Sequence, residues 1–333
     1  MFKDKSILVT GGTGSIGSEL VRQLLKYEPK VIRIFSRSEE KQFYMQQELS
    51  EYKNIRFLIG DIRDSNRVNY ACKGIDYVFH AAAMKHVPAS EYNPMEAVKT
   101  NVIGTQNIIE AAINQGVKRL VAISTDKVVN PQNTMGATKL LSEKIILSAN
   151  KYKGNSDTVF SIVRFGNVMG SSGSVIPLFI KQIKENKNIT LTSKDMTRFM
   201  MSIPDAAKLV LTAAEHTKFG ETYVLKMPAI NIESMARYLI EDYNFKSEVP
   251  YSGNIIEVGI RPGEKLYEEL MTTEEIAVGL ENDQLYLIPD QKNCNLYENF
   301  KHIQLNTYSS DKTDLLDKKT FLEILRKNNL LKW

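Results

Sequence analysis

Two patterns alternate along the first half of the chain. Short unbroken apolar runs, rich in β-branched residues, fall at 6–10, 31–35, 55–59, 77–80 and 120–124. Runs of this length without polar alternation predict strands buried on both faces. Between them, amphipathic stretches at 15–27, 38–51, 64–72, 94–115 and 135–152 predict helices. Strand then helix, five times over, predicts an α/β fold: a doubly wound parallel sheet, helix-covered on both sides, with right-handed crossovers. The second half is less regular. Strands are predicted at 160–164, 223–225 and 284–288, and helices near 175–187, 204–217, 231–243, 264–271 and 318–328, with 253–263 as a loop. The Gly-Ser cluster at 168–175 divides a first part, 1–170, from a smaller second part, 171–333, interleaved with it.

Composition narrows the class. The 333 residues are 43% hydrophobic and 25% charged, which is ordinary for a globular chain with ample core. No apolar run approaches the roughly 18 to 20 residues of a membrane span, and the apolar patch at 7–9 is too short for a signal-peptide core. Cys72 and Cys294 are too few for a disulfide framework or a zinc site and suit a reducing cytoplasm, and four histidines without an H-x-x-x-H pair argue against a dedicated metal site. Forty-three Lys and Arg against 39 Asp and Glu leave a net charge of +4, which requires no nucleic-acid or membrane partner. An anionic small molecule accounts for it.

The chemistry-bearing motifs sit where predicted strands end. Thr10-Gly11-Gly12-Thr13-Gly14-Ser15-Ile16-Gly17 follows the first strand and opens a helix. Glycines at this spacing let backbone N–H groups approach a dinucleotide pyrophosphate at the helix N-terminus. The second strand ends in Ser36-Arg37-Ser38, with Lys41 one turn on, where an acidic residue would have bound a free ribose 2′-hydroxyl. Arg37 and Lys41 suit a 2′-phosphate, so NADP is favoured over NAD, although the same charges also balance Glu39 and Glu40 at a helix start. The third strand leads into Gly60-Asp61-Ile62-Arg63-Asp64, where Asp61 is placed to accept from an adenine amino group and Asp64 to cap a helix. His80-Ala81-Ala82-Ala83-Met84-Lys85-His86 and Ser124-Thr125-Asp126-Lys127 lie at two further strand ends, where ligands bind in open α/β sheets. Small alanines leave room for a nicotinamide or ribose. Asp126-Lys127 reads either as an adjacent acid and base or as a surface turn with a trivial ion pair.

With Thr134-Met135-Gly136-Ala137-Thr138-Lys139 added, the chain resembles the extended short-chain dehydrogenases/reductases, and within them the UDP-N-acetylglucosamine 4,6-dehydratases of bacterial polysaccharide and glycan biosynthesis. The resemblance covers most of the chain. It continues through Lys99-Thr100-Asn101, Arg164-Phe165-Gly166-Asn167-Val168, Gly173-Ser174-Val175, Met196-Thr197-Arg198-Phe199 and Arg261-Pro262-Gly263-Glu264-Lys265. It implies a Rossmann domain for NADP over 1–170 and a mainly UDP-sugar-binding part over 171–333. The implied cofactor contacts are the glycine loop with Thr13, Ser15 and Ile16, then Ser36, Arg37, Lys41, Asp61, Ile62, Ala81, Ala82, Ala83, Lys85, Asn101, Lys139 and Asn167. The implied substrate contacts are Lys85, Thr125, Asn167, Ser174, Val175, Arg198, Arg261 and Glu264. One departure stands out: the superfamily's Tyr-x-x-x-Lys tyrosine is Met135 here, as in several sugar dehydratases, while Lys139 keeps its spacing. A thioether holds no exchangeable proton.

The resemblance further implies an internal redox dehydration. In it Thr125 bridges the 4-hydroxyl, Lys127, neutral through a lowered pKa, takes the C5 proton, and Asp126 protonates the leaving 6-hydroxyl. Ser172, where configuration-inverting relatives carry arginine, and the stretch 130–139 favour retention at C5. Inversion to an L-arabino 4-keto sugar, a nucleotide-sugar epimerase or reductase, and a non-enzymatic NADP-binding regulator are the alternatives. A cytoplasmic homo-oligomer, dimer or hexamer, paired through the helices at 94–115 and 135–152, is expected.

Overall fold

The apolar runs of the first half become parallel strands in the computed structural model, which describes residues 1–171, 173–290, 296–331 and 333. Ser172 and Cys294 lie outside the described residues. The strands are β1 (Ser6–Thr10), β2 (Val31–Ser36), β3 (Ile55–Ile59), β4 (Tyr77–His80), β5 (Arg119–Ile123) and β6 (Val159–Arg164). Every position of β1 and β4 is buried, which is why these strands lack polar alternation. The helices between them are α1 (Ser15–Leu25), α2 (Glu39–Glu48), α3 (Ser65–Cys72), α4 (Val87–Tyr92), α5 (Pro94–Ala97), α6 (Gly104–Asn114) and α7 (Thr134–Tyr152). Asp64 is the cap that the sequence predicts, accepting from the Arg67 amide at 3.0 Å, and α7 is capped by Asn133, which accepts from the Gly136 amide at 2.8 Å.

The second half adds β7 (Asn167–Val168), α8 (Val175–Lys184), β8 (Ile189–Leu191), β9 (Thr197–Met201), α9 (Ile203–His216), β10 (Thr222–Leu225), β11 (Ala229–Asn231) and α10 (Ile232–Lys246). Then come β12 (Ile255–Glu257), α11 (Thr273–Val278), β13 (Leu280–Glu281), β14 (Leu285–Ile288), β15 (Lys301–His302) and α12 (Lys318–Lys327). The main sheet runs β15-β13-β14-β10-β6-β5-β4-β1-β2-β3. It is parallel from β3 to β10 and antiparallel beyond, so the second half completes the sheet begun by the first. Strand order reverses between the parallel strands β1 and β4, and the crevice at their carboxyl ends is the ligand position of such sheets. Leu20, Val21 and Leu24 of α1 pack with Val210 and Ala214 of α9 on one face, while Val68, Ile108 and Ile146 cover the other. A third cluster around Phe179, Leu239 and Phe321 supports the small sheets β11-β9-β7 and β12-β8.

Two predicted helices differ. The one at 94–115 contains a π-helical turn, Val98–Ile103, between α5 and α6. The segment 264–271 is not helical. Its backbone bonds elsewhere: Leu266 O accepts from Thr197 N at 2.9 Å, Glu268 O from Ser310 N at 2.9 Å, and Leu270 N donates to Tyr308 O at 3.3 Å. Partners offered by β9 and residues 308–310 replace the intrahelical ones.

His80 ends β4 inside the molecule, 4% exposed, with Nδ1 2.8 Å from Thr10 Oγ1 and Nε2 3.1 Å from Thr105 Oγ1. Burial, helped by Lys139, lowers its pKa to about 3. The imidazole is therefore neutral when folded. Between pH 6.5 and that value the unfolded chain binds the extra proton, so stability is lost as pH falls. Urea unfolding is expected to lose about 2 to 3 kcal/mol between pH 6.5 and pH 4.5 from this group. The loss should shrink in His80→Gln, and an equal loss in both proteins would remove His80 from the account.

Candidate active site

The glycine loop has the shape of a cradle. Gly11 has φ +65°, and a Cβ there would lie 2.8 Å from the Ala82 amide nitrogen; one on Gly17 would lie 2.3 Å from Gly11 O. Both positions exclude a side chain, which holds β1, β4 and the start of α1 in close approach. A Cβ on Gly14 would meet only Gly11 O, at 3.2 Å, and no side chain caps α1. The loop through Thr13, Ser15 and Ile16 thus fits a dinucleotide pyrophosphate.

Around this cradle, Ser36 is held by Gln42, whose Nε2 donates to Ser36 Oγ at 3.0 Å. Arg37 is mostly exposed, 4.0 Å from Asp61, and Lys41 is exposed on the first turn of α2. Burial pushes the Asp61 carboxyl up, but hydrogen bonds from Arg63 outweigh it and hold the group below the usual range. Ile62 faces the core: a Cβ on Gly104 would lie 2.7 Å from its side chain, and its carbonyl accepts from Asn107 at 2.9 Å. Ala81 and Ala82 are half-buried and Ala83 exposed. Within the π-helical turn, Asn101 Oδ1 accepts from Met84 N at 2.8 Å, and its Nδ2 donates to Met84 O and Thr138 Oγ1, both at 3.1 Å. Desolvation lowers the pKa of Lys85, at the rim of this loop.

The acid and base of the β5 end are brought together inside the protein. Asp126 is fully buried. Its Oδ1 accepts from Thr125 Oγ1 at 2.7 Å and from Lys127 Nζ at 2.9 Å, while its Oδ2, buried without a partner among the described residues, faces Gly166. The surface-turn reading of Asp126-Lys127 is therefore set aside. Lys127 also lies 3.5 Å from Glu268 Oε1. Burial works to lower the Lys127 pKa, but Asp126 and Glu268 outweigh it, and the net direction is up. That corrects the expected lowering: two carboxylates face this lysine, one contributed from far along the chain. Burial raises Glu268.

Lys139 is 8% exposed and donates to Ile123 O at 2.6 Å. Burial lowers its pKa to about 8, against the opposing pull of Glu143. Met135 is buried at the start of α7, where its thioether packs rather than reacts.

On the far side, Asn167 Oδ1 and Ser174 Oγ are buried without partners among the described residues. Val175 opens α8, and the His86 ring lies over Gly173, 2.8 Å from where a Cβ would be. Arg198 is buried, and backbone carbonyls take three of its five N–H donors. Nη1 bonds Thr197 O at 2.7 Å and Leu266 O at 3.2 Å, Nη2 bonds Lys265 O at 2.8 Å, and Nε lies 3.8 Å from Glu268. Arg198 thus anchors the 265–268 segment. Arg261 is mostly exposed, 3.9 Å from Glu264, on a loop tied down by Asn133 Nδ2 to Gly263 O at 2.9 Å and Lys265 Nζ to Val129 O at 2.7 Å. Sequence reasoning passed over Glu268. Its sole signal was an acid in a stretch read as an amphipathic helix.

A family model described as polysaccharide biosynthesis protein matches residues 7–290. A relative in Methanocaldococcus jannaschii, described as the uncharacterized membrane protein MJ1061, is 55% identical over 279 residues, 83% of each chain. A UDP-glucose 4-epimerase of Rickettsia rickettsii is 43% identical over 335 aligned residues, 98% of this chain and 96% of the relative. The X-ray structure of Pen from Bacillus thuringiensis is similar with a TM-score of 0.92 and 47% identity, over 99% of both chains. Among the described residues no helix is long and apolar enough to cross a membrane.

Proposed function

The chain belongs to the polysaccharide biosynthesis protein family, with the fold of an extended short-chain dehydrogenase/reductase, and on that premise we propose that it is a UDP-N-acetylglucosamine 4,6-dehydratase. The observation that carries this reading is the hydrogen-bonded Thr125-Asp126-Lys127 relay around the buried Asp126 carboxylate at the end of β5. Loss of water across C5 and C6 needs a base and an acid side by side.

The cradle of Gly11, Gly14 and Gly17 would hold NADP, with Arg37 and Lys41 at the 2′-phosphate and Lys139 at the ribose hydroxyls. Bound nicotinamide supplies reversible hydride acceptance, from C4 and back to C6. The chain's own residues move the protons. Thr125 passes the 4-hydroxyl proton to Asp126 along the 2.7 Å bond already present. The 4-keto group makes the C5 proton acidic, and Lys127, as the free amine, takes it. Asp126 gives its newly acquired proton to the departing 6-hydroxyl, and water leaves. Lys127 then returns its proton to C5. Asp126 ends as carboxylate and Lys127 as amine, the forms in which this pair, once Lys127 has lost its resting proton to solvent, enters the cycle, and the net change is loss of one water. One group removing and returning the C5 proton from one face gives retention at C5.

Exposed Arg261, with Glu264 beside it, is the diphosphate contact in this reading, while Arg198 orders the segment that carries it. Asn167, Ser174 and Lys85 face the sugar nucleotide. Exposed Met95, Ile103 and Leu141, on α5, the π-helical turn and α7, support a homo-oligomer paired through these helices.

The epimerase of Rickettsia rickettsii supports a second reading, UDP-sugar 4-epimerization, in which nothing is lost. Incubation with UDP-N-acetylglucosamine and either NADP or NAD separates the two. The expected result is a 4-keto-6-deoxy product one water lighter, formed faster with NADP, which when made in H2O shows the H3–H5 nuclear Overhauser contact of the retained configuration. A product of unchanged mass would establish the epimerase instead.

A further inference from the structure

Glu268 is 3% exposed, and Ser310 fixes its backbone: Glu268 N donates to Ser310 Oγ at 3.0 Å, and Ser310 N donates to Glu268 O at 2.9 Å. Its Oε1 lies 3.5 Å from Lys127 Nζ and 3.8 Å from Arg198 Nε. Its Oε2 is buried with no hydrogen-bond partner among the described residues. A buried carboxylate left half-satisfied is costly, and it acts strongly on whatever charge it faces. The groups around it are Lys127, Asp126 beyond it, and Arg198, with Lys265 contributing more weakly. Arg198 is anchored on three backbone carbonyls and Lys265 on Val129 O, so neither is free to swing in and replace Lys127.

Resting on the dehydratase reading, we propose that Glu268 is a positioning residue for the reaction: it holds Lys127 together with Asp126 and so sets the pH at which Lys127 becomes the free amine that takes the C5 proton.

The physical argument is electrostatic. The Lys127 ammonium bridges two buried carboxylates, and both favour the protonated form. Neutralising Glu268 removes one of them and also leaves the Arg198 charge unopposed. Both changes make Lys127 give up its proton more readily. Asp126 acts on the proton from within the relay, whereas Glu268 acts from outside it, which makes Glu268 the adjustable member of the set.

Glu268→Gln keeps the side-chain shape and removes the charge. Two readouts are needed. The first requires no turnover: the pH dependence of Lys127 acylation by acetic anhydride, followed on its peptide by mass spectrometry. The midpoint is expected to fall by about one pH unit or more in Glu268→Gln. The second is the acid limb of kcat/KM on UDP-N-acetylglucosamine, which is expected to move down with it. A merely structural role for Glu268 would lower activity at every pH and leave the limb in place, and an unmoved acylation midpoint overturns the proposal. A shifted midpoint in a protein whose wild type never releases water from the sugar overturns the reaction assignment, not the coupling of Glu268 to Lys127. Should Glu268→Gln not fold, Glu268→Asp withdraws the charge by one methylene, and a smaller shift in the same direction is expected; no shift there counts against the proposal.

Discussion

Replacing Lys127 with alanine is expected to lower kcat for water loss from UDP-N-acetylglucosamine by about 10²- to 10⁴-fold, the usual contribution of a positioned general base. Among the described residues, of the side chains hydrogen-bonded to Asp126 only Lys127 can take a proton from carbon; the other, Thr125, is a hydroxyl. Nucleotide binding at the glycine cradle should be little changed, because the cradle is built from β1, α1 and the Ala82 backbone. A small primary amine added to Lys127→Ala should recover part of the rate by occupying the vacated position. In wild type, the raised pKa of Lys127 means that kcat/KM should climb as pH rises through and above neutrality, since the amine is the working form in the proposed mechanism. Wild-type turnover by Lys127→Ala would dismiss this lysine as the base.

Arg164→Leu is expected to be strongly destabilising, costing about 3 to 5 kcal/mol in urea unfolding. Arg164 is 3% exposed at the end of β6. It donates to Glu143 of α7 from Nε at 2.9 Å and Nη2 at 2.6 Å, to Glu275 of α11 from Nη1 at 2.7 Å and Nη2 at 2.8 Å, and to Leu270 O at 3.3 Å. The cost arises mainly from what is left behind: Glu143 is 2% exposed and would have no ion-pair partner within 4.0 Å among the described residues. Replacing Arg164, Glu143 and Glu275 together by apolar residues of similar volume should cost much less, because no buried charge is stranded. A loss near zero for Arg164→Leu alone would mean that water reaches Glu143.

Much of the cofactor half was legible before folding was considered. Its strands are covered on both faces, so each appears as an unbroken apolar run, and the close backbone approach at Gly11 and Gly17 is legible because its demand is local and steric. The helix at 94–115 was legible in extent but not in its π-helical turn, since the hydrophobic period hardly changes over one widened turn. The segment 264–271 was misread for a different reason. Its apolar spacing is helical, but β9 and residues 308–310 offer its backbone partners that no sequence window contains.

By itself, the sequence determined the order of strands and helices, the glycine cradle, and the adjacency of an acid and a base at a strand end. These depend on side-chain periodicity, on the missing Cβ, and on residues one position apart. The tertiary structure alone decided how that pair behaves. Glu268 and Arg198 arrive at Lys127 from distant segments, Arg198 is turned inward onto carbonyls while Arg261 stays exposed, and the proton affinity of Lys127 goes up where its burial alone would send it down. An ionisation equilibrium is a sum over every charge and dipole within a few ångströms, and that set exists only once the chain has folded.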